Sequence, residues 1–234
     1  MTPSKPVEIL RPVDAATLVL VDERGKKPKV LMGQRNANLR FMPGKFVFPG
    51  GRVDAADRAM LASGAVSPRQ ERQLTASASR MTPQRCRALA MAAIRETFEE
   101  TGLMIGTGEF GAPEKAPAGT WREFADQGLF PTLDSVYFVA RAITPPRRIR
   151  RFDTRFFAAS LSAVGGKVER IIGQEAELTE LVWVTLDEAI KLDLPMITQV
   201  ILHDIRERLM AGLEAPGPVP FYRERHGQFI REIL

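Results

Sequence analysis

The chain predicts an α/β fold, a sandwich with helices on both faces of a mixed β-sheet, and three observations carry that expectation. Short β-branched or apolar runs at Ala15 to Val21 and Lys29 to Arg35 precede one long helical pattern, Pro83 to Thr101. Alternating runs at Ser135 to Ile143, Asp153 to Leu161 and Leu178 to Val184 follow it as strands, and helical patterns at Leu186 to Lys191 and Met196 to Met210 close the order. With 234 residues, 44% of them hydrophobic and 26% charged, the chain can fill one domain over 1–234.

Each element has a local reason. Asp22 to Pro28 is polar and contains Gly25, so the first two strands read as a hairpin. Met42-Pro43-Gly44 interrupts, Lys45 to Phe48 reads as a short strand, and Pro49-Gly50-Gly51 reads as a tight turn where backbone approaches a ligand closely. Residues 57–86 are rich in Ala, Arg and Gln, with cap signals at Ser67-Pro68 and Thr82-Pro83. They predict a helical insertion of two pieces, expected near the mouth of the site. The long helix carries Leu89, Ala90, Ala93, Ile94 and Thr97 on one apolar or small stripe and ends at Gly102. Residues 106–119 read as a Gly-, Pro- and Ala-rich loop, and Thr120 to Gln127 as a short helix packing Trp121 and Phe124 inward. Thr144-Pro145-Pro146 and an arginine run join two paired strands, and a Pro- and Gly-rich linker at 214–220 leads into a C-terminal tail, 214–234.

Composition narrows the function. A single cysteine, Cys86, excludes an intrachain disulfide and reads as a small buried hydrophobe, and no leader or long apolar run is expected, so a cytoplasmic protein without a membrane partner fits. The net charge of +5 is concentrated at Arg147, Arg148, Arg150 and Arg151, which suits anionic ligands. Basic residues without interleaved aromatics, at 7% aromatic content, argue against a nucleic-acid module. His203 and His226 have no partner spacing for metal, and Trp183 reads as core.

Glu96, Glu99 and Glu100 fall at offsets 0, 3 and 4 on one turn of the long helix. Side chains so spaced lie roughly 5–6 Å apart at Cβ, so three carboxylates repel one another unless a cation compensates. Hard, oxygen-loving Mg²⁺ or Mn²⁺ is the natural compensator. Taken alone, the acids also fit a solvated helix face offset by Arg87 and Arg95. A Pro-Gly-Gly turn before the helix and a glycine stop just after the acids favour the metal site.

These residues resemble a known family. Gly51, then Asp57, then Arg95-Glu96, Glu99-Glu100 and Gly102-Leu103 closely resemble the box of the Nudix hydrolases, with Asp57 in place of the usual Glu, Thr97 in an apolar slot, and 37 residues (58–94) where seven are usual. The split box, together with Leu39-Arg40-Phe41-Met42-Pro43-Gly44 and Arg151 to Phe157, resembles the branch related to peroxisomal coenzyme A diphosphatases. The resemblance implies a Nudix-type sandwich and metal-dependent hydrolysis of the diphosphate in a small-molecule nucleoside diphosphate derivative, coenzyme A or an acyl-CoA foremost. It implies Glu99 and Glu100 as metal ligands and Glu96 as a ligand or the base that orients water. Glu175, Glu177 and Glu180 offer a second source of that base. Arg95, four residues before Glu99, is expected to orient a carboxylate. Gly50, Gly51 and Arg40 are expected to line the substrate pocket, and Arg147, Arg148 and Arg151 to contact phosphate, the 3'-phosphate and diphosphate of coenzyme A being suited to guanidinium forks. ADP-ribose, a dinucleotide or a nucleoside triphosphate remains an alternative substrate, and a catalytically silent nucleotide sensor an alternative role. A homodimer stays open, and Glu232-Ile233-Leu234 resembles no peroxisomal address.

Overall fold

In the computed structural model, residues 10–170, 172, 173 and 175–234 are described. The strands are β1 (Val13–Asp22), β2 (Lys29–Arg35), β3 (Phe46–Val47) and β4 (Gly50–Arg52); the insertion adds α1 (Ala56–Ala59) and α2 (Pro68–Thr75) before the long helix α3 (Pro83–Thr101). Then come β5 (Leu103–Thr107), α4 (Thr120–Asp126), β6 (Phe130–Pro131), β7 (Tyr137–Ile143), β8 (Phe152–Ser160), a 3-10 turn at Leu161–Ala163 and β9 (Val164–Lys167). The order ends with β10 (Leu178–Thr185), α5 (Leu186–Ala189), α6 (Met196–Ala211), β11 (Pro220–Arg225) and β12 (Gln228–Ile233).

The main sheet runs β10-β2-β1-β8-β7-β11-β12, with β3 beside β2 and β4 beside β1. It is mixed: β1 pairs with β8 in parallel from Val13–Phe152 to Val21–Ser160, while β7 and β8 are antiparallel. Alternation along β1 divides the core, because successive side chains point to opposite faces. Ala16, Leu18 and Leu20 pack with Leu89, Ala90, Ala93 and Ile94 of α3, whereas Val19 and Val21 pack with Ile201, Leu202 and Ile205 of α6. The result is the expected α/β/α sandwich. A second, small sheet, β6-β5-β9, also forms, and its β5 runs on into Gly106 and Thr107, where the sequence reads as the start of the 106–119 loop.

Two expectations are corrected by this topology. Residues 220–233 of the expected C-terminal tail form a hairpin, and β11 runs parallel to β7 through Phe221–Arg141 and Tyr222–Ala142, extending the sheet. The insertion does not stand as one unit at the mouth of the site: Asp57 at its start pairs with Arg95, while α2 packs elsewhere, against β7 and Gly217. Its Arg69 and Gln73 donate to Gly217 O at 3.1 and 3.2 Å, Gln70 accepts from Phe138 N at 2.6 Å, and Arg141 donates to Ala76 O and Ser77 O just past its end. Leu74, Met60 and Val66 are buried in the same cluster as Phe138. The insertion therefore covers the sheet at Phe138 of β7, removing apolar surface from water. Among the described residues no helix is long and apolar enough to cross a membrane.

Candidate active site

The helix α3 is held by the local chemistry its sequence advertises. Thr82 accepts from Arg85 N at 3.3 Å, Pro83 occupies the first turn, and Gly102 closes the helix at φ 75°. Twelve of its side chains, Cys86 and Phe98 among them, are buried, which leaves Glu96, Glu99 and Glu100 on the open side of the last turns.

Arg95 organises those acids. Its Nη1 donates to Glu96 Oε1 and to Glu99 Oε2, both at 2.9 Å, while Nε and Nη2 grip Asp57 at 2.8 and 3.1 Å and Nη2 also reaches Arg52 O at 2.8 Å. Asp57, read as a box acid, is fully buried; it also accepts from Trp121 Nε1 at 3.2 Å and from Asp54 N at 2.7 Å. This is a buried pair with its oxygens satisfied, the arrangement that makes a buried carboxylate tolerable.

The two glycines are required by close approach. A Cβ on Gly51 would lie 2.4 Å from the Glu96 carboxyl, and one on Gly50 would lie 2.6 Å from Ala16 O. The pair does not form a free turn: it lies in β4, hydrogen-bonded along β1 through Gly51–Ala16 and Gly50–Thr17. Gly50 N donates to Glu100 Oε2 at 3.1 Å, so this strand and the acids of α3 are locked face to face.

Burial pushes the Glu96 carboxyl up to about 7; the Arg95 guanidinium opposes that shift and the Glu99 charge adds to it. Burial pushes Glu100 well above its ordinary value as well, helped by the charges of Glu177 and Glu96 and opposed by the Gly50 amide and Arg35. Glu177 is thus the member of the Glu175, Glu177 and Glu180 trio that acts on the box. Arg35 holds it at 2.9 Å through Nη1 and anchors its own Nε on Phe41 O at 3.1 Å. Glu180 lies in β10 opposite Gln34, exposed, and Glu175 is exposed in the preceding loop.

Val13, Arg52, Val53, Asp54, Arg95 and Glu96 line a cleft of about 460 Å³. The arginine loop lies beside it, since Val13 N donates to Arg151 O at 3.0 Å. Arg147 and Arg148 are exposed on that loop, and Arg40 is exposed in the turn after β2. Arg151 differs: its Nε donates to Thr144 O at 3.0 Å and its Nη1 to Leu10 O at 2.6 Å, so its guanidinium holds the loop itself. Among the described residues no three His, Cys, Asp or Glu side chains are gathered into a ligand cage; Glu96 and Glu99 accept hydrogen bonds from Arg95, and Glu99 also from Thr120.

Two participants have no signal in the sequence. Arg35 ends an ordinary strand, and Thr120 opens a helix that reads as packing; each meets the site only through contacts between distant segments.

No protein-family model matches the chain. Its fold is similar to the crystal structure of a NUDIX hydrolase from Alicyclobacillus acidocaldarius, at 26% identity, TM-score 0.65, and coverage of 88% of this chain and 99% of that one. More distant are the NUDIX domain of Shewanella oneidensis NrtR complexed with ADP ribose (14% identity, TM-score 0.46, 86% and 90% covered) and a Nudix hydrolase from M. smegmatis, RenU (18%, 0.44, 85% and 86%), which bear no weight at those scores. The turn from Arg95 to Glu100 facing Gly50 and Gly51, together with the likeness to the Alicyclobacillus enzyme, supports the placement of this chain in the Nudix superfamily.

Proposed function

We propose that the chain is a single catalytic domain that hydrolyses the diphosphate linkage of a nucleoside diphosphate derivative with the help of a divalent cation. The observation that carries this reading is one turn of α3 with three carboxylates oriented by Arg95 and by the Gly50 amide. Their donor set is oxygen only, and burial, with neighbouring carboxylates adding to it, pushes Glu96 and Glu100 up, so their ionised forms gain from a cation. Both features fit Mg²⁺ or Mn²⁺. Glu96, Glu99 and Glu100 would hold the ion; when bound, it would supply neutralisation of phosphate charge and a lowered pKa for the attacking water.

The chain's own residues do the rest. Arg95 keeps Glu96 and Glu99 pointed to one side, Gly51 leaves the space that Glu96 fills, and Gly50 fixes Glu100. For the base that takes the proton of the incoming water our choice is Glu177, supported by its ion pair with Arg35 and by the reach of its charge to Glu96 and Glu100.

For the substrate we favour coenzyme A or an acyl-CoA, cleaved to 3',5'-ADP and the corresponding phosphopantetheine. The support is the exposed Arg147, Arg148 and Arg150 on a loop adjoining the cleft, chemistry suited to a further phosphate beyond the diphosphate. The test is hydrolysis of coenzyme A and of ADP-ribose, with Mg²⁺ and Mn²⁺, by wild type and Glu100→Gln. Preference for coenzyme A that is lost in the variant is the expected result. Preference for ADP-ribose would keep the chemistry and change the substrate. Turnover untouched in Glu100→Gln would remove the site assignment.

A further inference from the structure

Glu99 is the most exposed of the three acids, its side chain 37% accessible, yet both of its oxygens are engaged. Arg95 donates to Oε2 from within α3, and the Thr120 hydroxyl donates to Oε1 from α4. The second donor comes from 21 residues downstream, on a helix of seven residues that is too short to be stable alone.

That helix is docked independently of Thr120. Trp121 and Phe124 are fully buried, Phe124 meets Phe98 of α3 edge-on at 5.2 Å, and Trp121 donates to Asp57. Arg170 adds a clamp: its guanidinium lies 4.1 Å over the Phe98 ring and pairs with Glu123 of α4 at 3.0 Å. The position of the Thr120 hydroxyl is therefore set by packing, and its hydrogen bond is made outward to Glu99. Gly119, the residue before it, offers no side chain to compete.

We propose that Thr120 is a positioning residue that orients Glu99 toward the cation, so that α4, outside the box, sets the metal affinity of the site. The inference rests on the metal-dependent reading above. Partners of this kind around a ligating carboxylate change metal affinity by about 10–100-fold when removed.

The test measures Mn²⁺ binding directly by titration calorimetry on the full chain, comparing wild type, Thr120→Val and Thr120→Ser, with urea unfolding as the control for folding. Thr120→Val keeps the shape and deletes the donor; Thr120→Ser keeps the donor. The expected result is a dissociation constant raised roughly tenfold in Thr120→Val and within about twofold of wild type in Thr120→Ser. Equal affinity in wild type and Thr120→Val would overturn the proposal, as would equal weakening in both variants, which would point to side-chain shape. Absence of Mn²⁺ binding by wild type would overturn the underlying reading, an outcome separable from the other two.

Discussion

Arg95 and Asp57 form a two-bond fork across 38 residues of sequence, Nε to Oδ1 at 2.8 Å and Nη2 to Oδ2 at 3.1 Å, with the Asp57 side chain wholly buried. The same guanidinium carries Glu96 and Glu99 on its remaining nitrogen, so the insertion between Asp57 and Arg95 is closed by the group that aligns the acids.

Removing Asp57 takes the fork from a buried guanidinium, leaving it Glu96, Glu99 and the Arg52 carbonyl, and leaves Trp121 Nε1 and Asp54 N without their acceptor. Asp57→Ala is expected to lower stability by about 3–5 kcal/mol, read by urea denaturation. A loss below about 1 kcal/mol would mean that Glu96, Glu99 and the Arg52 carbonyl suffice for Arg95 without Asp57.

The two glycines separate folding from function. Gly51→Ala places its methyl group against the Glu96 carboxyl, a side-chain end that can yield, so folding should change little while turnover falls by roughly tenfold or more through misplacement of Glu96. Gly50→Ala meets Ala16 O at 2.6 Å and the Thr17 Cα at 2.7 Å, backbone atoms that cannot move aside. It should lower stability by about 1–3 kcal/mol in thermal unfolding.

Proton linkage gives a signature of the acid cluster. In the metal-free protein the folded pKa of Glu96 is raised to about 7 from the ordinary 4.5, so the folded state holds more protons than the unfolded state across that interval. Stability contributed there is present below about 4.5 and lost as pH rises through 7. Mg²⁺ or Mn²⁺ competes with those protons, so the rise in Tm on adding metal should be larger at pH 8 than at pH 6 in calorimetry. Glu96→Gln should reduce that difference; a metal effect independent of pH would sink the linkage.

Charge reversal at Arg147 and Arg148 should raise KM for coenzyme A several-fold, more strongly at low salt, and leave turnover near wild type. Arg151→Ala should behave differently. Its guanidinium is committed to Thr144 O and Leu10 O, so the expected outcome is lower stability together with weaker binding. Unchanged KM on reversal of Arg147 and Arg148 would remove these arginines from the substrate site.

The box helix was legible because each of its signals is local. Thr82-Pro83 starts it, Gly102 stops it, and the three acids repeat within one turn. The strands β1, β2, β7, β8 and β10 were legible from apolar alternation for the same reason. The hairpin β11–β12 was hidden by composition: Arg223, Glu224, Arg225, Arg231 and Glu232 make an edge strand pair look like a solvated tail, although Phe221 and Tyr222 are buried. The small sheet was hidden by Gly106, Gly165 and Gly166, residues of low strand propensity placed where β5 and β9 approach closely. Thr120 and Arg35 were illegible for a deeper reason, since no spacing rule connects a side chain to a partner reached only through tertiary packing.

The hairpin also constrains the timetable of synthesis. The α2 segment and Arg141 are made before the partners they need, the Gly217 carbonyl that receives Arg69 and Gln73 and the Phe221 ring that lies 4.3 Å beneath the Arg141 guanidinium. Until residues 220–233 have emerged, the rim of the sheet at β7 has no neighbour to pair with. A chain that has made β7 but not yet residues 220–233 carries that open rim, which invites pairing with other chains in that interval.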